Sequence, residues 1–250
     1  MSAHMPNSQG LLRRIEELEQ ETRRLRQKLL EAESSYDVTL ETLADALDCK
    51  QGQTENHSRR VTAFAIAIAR QVGIERDSEE MRVLARGAFL HDIGKMTVPE
   101  AILRKPGALT PEEMEIVRDH PFRGYSMIKL IPVLQEPAEI VYAHHERFDG
   151  TGYPRGLRGK EIPLGARITA LANTLDAITS DLPYRGAQSL EAARAEIENG
   201  SGGQFDPEVV TAFLGIAPSR WQGLREQIEK QAALRVGSPG RGGAHAGAGS

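Results

Sequence analysis

The sequence predicts an all-α protein, a helical bundle preceded by a coiled-coil helix. Three observations predict it. Apolar residues recur at three- and four-residue spacings in segment after segment of the 250-residue chain, which is the period of an amphipathic helix. No segment sustains the strict alternation of a half-buried strand. Helix start and stop residues separate the periodic segments, as at Thr110-Pro111, Asp206-Pro207 and Asn199-Gly200.

Residues 1–10 are polar and small and are expected to be a disordered N-terminus. From there Leu11, Ile15, Leu18, Thr22, Leu25, Leu29 and Ala32 alternate in steps of four and three. This is the seam of a coiled coil, with Glu, Arg and Gln on the other faces and Thr22 as its weak layer. A lone amphipathic helix lying on the globular body is the plainer reading of so short a run. A parallel dimerising helix over 11–35 is the one expected here. The folded domain is expected over 36–235.

Helical spacing continues through 36–72. Within it "VTAFAIAIARQVG" (61–73) is apolar on nearly all faces, which predicts a buried helix stopped by Gly73. Residues 78–90 predict the next helix, expected to continue through His91-Asp92 to Gly94-Lys95. "TPEEMEIVRDH" (110–120) opens with Thr110 as N-cap, Pro111 at the first helical position and acids in the first turn. "PAEIVYAHHE" (137–146) is a helix that ends in a Gly-rich loop. "PLGARITALANTLDAITS" (163–180), "SLEAARAEIENGSG" (189–202) and "DPEVVTAFLGI" (206–216) are helical, and 218–235 predicts a final helix. Residues 236–250 lack periodicity and are expected to be a disordered tail.

Composition narrows the function. A hydrophobic content of 40% supports a core, and 5% aromatics argues against an aromatic-rich binding platform. The net charge of -4 gives no electrostatic case for polymeric nucleic acid. The single Cys49 excludes an intramolecular disulfide framework and suits a reducing compartment. No apolar run is long enough for a membrane span, and charges follow Leu11-Leu12 at once, unlike a signal peptide. A cytoplasmic protein is expected.

Seven histidines are present. His4 and His245 fall in the expected floppy ends. The other five are His57, His91, His120, His144 and His145, each inside or at the end of a predicted helix. Any one alone is more often structural than a ligand. Together they include an imidazole–carboxylate pair, His91-Asp92, and an imidazole pair, His144-His145. Imidazole and carboxylate without thiolate suit Fe, Mn, Zn or Ni. Neighbours on a helix diverge by about 100 degrees, so adjacent ligands suit two metals side by side. A carboxylate such as Asp92 can bridge them, one oxygen to each ion.

The runs "HDIGK" (91–95) and "HHERFDGTGYP" (144–154) carry a resemblance to the HD-GYP family, a branch of the HD phosphohydrolase superfamily. "NHSRRV" (56–61), "DHPFRGY" (119–125), "DAITSDLPYR" (176–185) and "GGQFDPEVV" (202–210) support it, so the resemblance covers about residues 37–215. It implies an HD-type all-α bundle that hydrolyses cyclic di-GMP to the linear dinucleotide pGpG or on to GMP. By position, His57, His91 and Asp92 resemble ligands of a first metal. Asp92 would bridge to a second, held by His120, His144 and His145. Lys95 resembles the catalytic lysine, and Arg185 a residue that grips substrate phosphate. Gly152, Tyr153 and Pro154 are the signature loop, implied to be a lid or a docking surface for partner proteins.

The chemistry suits these residues. A phosphodiester is anionic and repels hydroxide. Two divalent metals about 3.5–4 Å apart neutralise it and acidify a water between them; Fe or Mn is expected first, Ni or Zn next. The Lys95 ammonium would stabilise charge developing in the transition state. Gly150 and Gly152 are expected to allow positive φ in the loop. Glu146 and Asp149 are expected to cap a helix or support a ligand histidine rather than bind metal. Arg123 and Arg147 are weaker phosphate candidates.

Three positions depart from the family pattern. A glutamate that recruits a third metal in some members is here Gln53, so two metals are expected. An aspartate that closes the first metal site is here Asn173, which offers a neutral carbonyl oxygen. Asp176, a full turn further on, reads as a structural carboxylate. An arginine that clamps phosphate is here Leu182, so one bidentate contact is lost. These losses set the alternative beside the enzyme: a degenerate module that binds nucleotide or partner proteins as a regulator with little turnover.

Overall fold

The computed structural model of the protein describes residues 8–51, 56–181 and 185–236. The expectations placed on Gln53, Leu182, His4, His245, residues 1–7 and residues 237–250 lie outside the described residues. Eleven α-helices follow in order among those described: α1 (Ser8–Gln51), α2 (His57–Val72), α3 (Glu79–Leu90), α4 (Glu100–Leu103), α5 (Pro111–Arg118), α6 (His120–Ile128), α7 (Gln135–Ala143), α8 (Leu164–Thr179), α9 (Leu190–Asn199), α10 (Pro207–Leu214) and α11 (Pro218–Val236). Short 3-10 turns stand at Ile93–Thr97, Pro132–Leu134 and Gly159–Glu161. No strand occurs among the described residues, so the all-α class holds. None of the described helices is long and apolar enough to cross a membrane.

The chain divides into two units, Met1–Leu43 and Ala44–Ser250. In the first, α1 already begins at Ser8, inside the stretch expected to be disordered. Its seam residues Leu11, Ile15, Leu18, Leu25 and Leu29 are all more than half exposed. The seam's polar layer, Thr22, satisfies its hydroxyl on the Leu18 carbonyl one turn back.

In the second unit α2 packs on α3 and α8, α3 packs on α7, and α10 and α11 close over α2. Val61, Phe64, Ala65, Ile68 and Ala69 of α2 are fully buried, at the spacing of one helix face. Burying each of the larger ones contributes roughly 1.5–3 kcal/mol. Gly73 (φ 108) ends α2 as expected. Its N–H and that of Ile74 return to the Arg70 and Ala69 carbonyls, and the apolar Ile74 side chain tucks in behind. At α5 the Thr110 hydroxyl and the Glu113 carboxylate cap each other's backbone N–H groups.

One expected helix stops early. α3 ends at Leu90 rather than running on to Lys95, and the chain turns at His91-Asp92 into a 3-10 turn. The cause is a close approach. A Cβ on Gly94 would lie 1.9 Å from the His120 carbonyl oxygen, so the turn rests backbone to backbone on the start of α6. That contact brings "HDIGK" against His120.

Candidate metal centre

The five histidines stand at helix ends. His57 opens α2 and His120 opens α6, while His91 and His144 cap the C-termini of α3 and α7, with His145 next in line. The last turn of a helix leaves carbonyls without an N–H partner. Three imidazoles use them. His91 Nδ1 donates to Ala88 O (2.8 Å), His120 Nδ1 to Val117 O (2.7 Å) and His144 Nδ1 to Val141 O (2.8 Å). Each reaches the residue three positions back. His57 begins a helix and has no such carbonyl; its Nδ1 lies 2.8 Å from Asp176 Oδ2, a carboxylate on α8.

These contacts settle the tautomer. A carbonyl only accepts, so Nδ1 carries the proton and Nε2 presents a lone pair to the interior. The Nε2 atoms of His57 and His91, and Oδ1 of Asp92, are buried without a hydrogen-bond partner. His120 Nε2 and His144 Nε2 stand 3.3 Å apart. Buried acceptors left facing one another are costly unless something positive sits among them.

Asp92 stands between the two groups. Its Oδ2 is 3.5 Å from His91 Nε2 and 4.0 Å from His57 Nε2. Its Oδ1 is 3.3 Å from His120 Nε2 and 3.9 Å from His144 Nε2. Lys95 Nζ reaches Oδ2 at 2.6 Å. The possible ligands form two clusters, His57 with His91 and Asp92, and His120 with His144 and His145, each with its donor atoms within 4.8 Å of one another.

Burial sets the charge state. It pushes His91 down to about 4 and His145 down to about 3, and holds His144 well below the usual histidine value. Burial also pushes Asp92 upward, but Lys95 and then the surrounding imidazoles outweigh it and hold the carboxyl well below its usual range. At neutral pH His91, His144 and His145 are therefore neutral beside the Asp92 carboxylate, the form a divalent cation requires. The donor set and its orphaned atoms fit such ions.

The loop after His145 frames the mouth. The buried Glu146 carboxylate accepts from the backbone N–H groups of Arg155 (2.7 Å) and Leu157 (3.1 Å), so it shapes the loop and supports no ligand histidine. Asp149 accepts from Thr151 N and Oγ1. Gly150 has the expected positive φ of 84, but Gly152 does not. Gly152 is needed for space: a Cβ there would lie 2.3 Å from Arg147 N. Its neighbour Tyr153 stacks on His145, centroids 4.8 Å apart and planes within 15°. Burial pushes the Tyr153 phenol up to about 12, so the ring is neutral. Pro154 follows through a cis peptide bond.

Arg118, His144, His145, Arg147, Tyr153 and Asn173 line a cleft of about 300 Å³. Asn173 therefore faces the same space as the imidazole pair. Arg185 does not line it; this exposed residue donates to Ala177 O at the end of α8 (2.7 Å). Arg123 pairs with Asp119 on the surface. A larger cavity of about 440 Å³, lined by Phe64, Leu175, Trp221 and Arg225, contains no imidazole.

Sequence reasoning treated Asp176 as structural and missed its grip on His57. The same carboxylate accepts from Arg60 Nε (2.6 Å) and Arg225 Nη2 (3.3 Å). Burial raises it, but hydrogen bonds from His57 and Arg60 dominate and hold it well below the usual carboxylate range. The one available signal was Arg60, three residues after His57 and so on the same helix face. Nothing in the spacing ties position 57 to 176.

A profile of the HD domain family matches residues 41–209. The chain is 37% identical over 246 residues to the cyclic di-GMP phosphodiesterase response regulator RpfG of Xanthomonas campestris pv. campestris, covering 96% of this chain and 63% of that protein. It is 39% identical over 210 residues to a cyclic di-GMP phosphodiesterase of Thermotoga maritima, covering 81% of this chain and 56% of that protein. The chain thus spans about six-tenths of the length of these curated relatives. In fold it resembles the crystal structure of a cyclic GMP-AMP specific phosphodiesterase of V. cholerae, V-cGAP3, with a TM-score of 0.60 and 21% identity over 79% of this chain and 53% of that one.

Proposed function

The chain belongs to the HD domain family, in its HD-GYP branch, and on that premise we propose that it is a metal-dependent phosphodiesterase hydrolysing cyclic di-GMP to pGpG, GMP or both. One observation carries the reading: a single buried carboxylate, Asp92, turns one oxygen toward each of two imidazole groups whose Nε2 atoms face it. The relatives' printed substrate supports cyclic di-GMP.

His57, His91 and Asp92 would hold one cation, and His120, His144 and His145 the other, with Asp92 shared. Asn173 would offer a neutral oxygen beside them. When bound, two divalent ions supply Lewis acidity toward the phosphoryl oxygens and lower the pKa of a water. Imidazole and carboxylate without thiolate favour Fe or Mn, with Ni or Zn as alternatives. The Nδ1 hydrogen bonds hold the imidazoles in place, so little reorganisation is needed on loading. Lys95 neutralises Asp92 at rest, and its ammonium is positioned to meet charge that develops on phosphate during cleavage. Arg185 is the proposed grip on substrate phosphate outside the cleft. Gly152, Tyr153 and Pro154 hold Tyr153 against His145 and offer a loop surface to protein partners.

The domain is read as 36–235, cytoplasmic, with residues 11–35 pairing as a parallel coiled coil in a homodimer. The exposed leucine seam of α1 supports the pairing. Asn173 in the cleft favours a slow enzyme. A regulator without turnover is the lesser reading, since six candidate ligand side chains gather in two clusters.

The test is metal analysis followed by turnover. Two metals per chain and product from cyclic di-GMP with Fe or Mn are expected. One metal or none, with no product, would leave the regulator. Asn173→Asp should raise kcat/KM; an unchanged rate would remove Asn173 from the ligand set.

A further inference from the structure

Two guanidinium groups stand at the wall of the metal cleft, and they differ. Arg147 is tied down: its Nε donates to Thr151 Oγ1 (2.9 Å) and its Nη2 is 3.5 Å from Asp149 Oδ2. Arg118, the last residue of α5, is exposed, and no carboxylate pairs with it among the described residues. Its guanidinium carbon lies 5.4 Å from the centroid of the Tyr153 ring. That ring lies in turn on His145. The Tyr153 ring thus links the exposed Arg118 cation to His145, one of the proposed metal ligands. The neutral ring attracts the cation by its face. The planar guanidinium keeps its N–H edge free for an anion.

A cyclic dinucleotide carries two phosphodiesters, and one reaction centre engages one of them at a time. The cleft, about 300 Å³, lies at the small end of ligand pockets, which span roughly 300–1,000 Å³. Part of such a ligand must remain at the rim. A second phosphate there needs a cation, and two parallel N–H groups match two non-bridging phosphate oxygens. We infer that Arg118 is a specificity-determining residue, which receives the phosphate not undergoing hydrolysis and uses Tyr153 as its platform. This rests on the phosphodiesterase reading above.

The test compares two substrates and a binding measurement. Cyclic di-GMP carries both phosphates; bis(4-nitrophenyl) phosphate carries one. Arg118→Ala is expected to weaken cyclic di-GMP binding to the metal-free protein roughly tenfold, one charge-assisted contact pair. In the metal-loaded enzyme, kcat/KM for cyclic di-GMP should fall by a similar factor, mostly through KM. The loss on bis(4-nitrophenyl) phosphate should be several times smaller. Arg118→Lys, which keeps the charge and loses the fork, should recover part of the binding. Equal losses on both substrates would mean that Arg118 acts only by steadying Tyr153 and His145, and would overturn the assignment. So would no loss at all, or a lysine that recovers nothing. A wild-type protein that cleaves bis(4-nitrophenyl) phosphate but neither binds nor cleaves cyclic di-GMP refutes the substrate reading itself. A wild-type protein that turns over cyclic di-GMP, matched by Arg118→Ala, refutes this assignment alone.

Discussion

The two halves of the proposed metal centre are built differently. The His57–His91–Asp92 half is backed by charge: Asp176 holds His57, Arg60 and Arg225 hold Asp176, and Lys95 holds Asp92. The His120–His144–His145 half is backed by neutral groups: two helix-end carbonyls, and the Tyr153 ring on His145. A carboxylate behind a ligand imidazole raises its basicity, whereas a carbonyl mainly orients it. The first half should therefore bind its cation more tightly and depend more on distant residues. The second is cheaper to assemble, since a helix end supplies its acceptors, but it has weaker electrostatic support.

The largest test of this contrast is Asp92→Asn. Among the described residues Asp92 alone faces both halves, so both should lose their cation, and kcat/KM should fall about 10³-fold or more. Metal analysis beside kinetics decides it. A variant that keeps one ion per chain would show that the halves are independent.

Asp176→Asn should separate them. Losing the carboxylate behind His57 should weaken metal binding in the first half about 10- to 100-fold and leave the second nearly as before. It also weakens the charge-assisted contacts that Arg60 makes with Asp176, which should lower the stability of the metal-free protein. Metal titration and thermal unfolding measure the two effects. Equal weakening of both sites would break the comparison.

A smaller, shared effect comes from acid. His91 and His145 titrate near 4 and 3 in the fold, against about 6.5 in an unfolded chain. Between those values the unfolded chain binds more protons, so stability rises with pH across this window. In the metal-free protein this contribution is complete above about 6.5 and is lost as pH falls. The decline should persist about a unit lower for His145 than for His91. Unfolding midpoints measured from pH 7 to 3, with His145→Gln as the reference, check it: the variant should lose less between pH 4 and 3. An identical pH profile would show that the fold does not depress the His145 imidazole.

Much of the proposed centre was legible because four of its candidate ligands come in two adjacent pairs. His91-Asp92 and His144-His145 each supply two donors from one turn, so a motif read along the chain carries half the geometry. Lys95, three residues from Asp92, is also local. The supports were partly legible at best. The carbonyl contacts of His91, His120 and His144 arise wherever an imidazole follows a helix end, but reading them requires the end to be placed. The continuation expected for α3 hid this for His91, and the close approach of Gly94 to His120 that stops the helix spans two separate segments.

Periodicity, capping residues and turn signals specify the helices, since each is a local balance of backbone hydrogen bonds and apolar spacing within a few residues. The same local order specifies which residue types are available as ligands. Contacts between distant segments do not follow from it. That His57 leans on Asp176, that Asp92 divides its oxygens between two groups, and that Arg118 lies above Tyr153 all depend on how elements distant in the chain come together, α2 with α8, the turn after α3 with α6 and α7, and α5 with the loop after α7. Packing sets those meetings: the chain is joined by buried surface, and buried surface carries no label for which polar group will meet which.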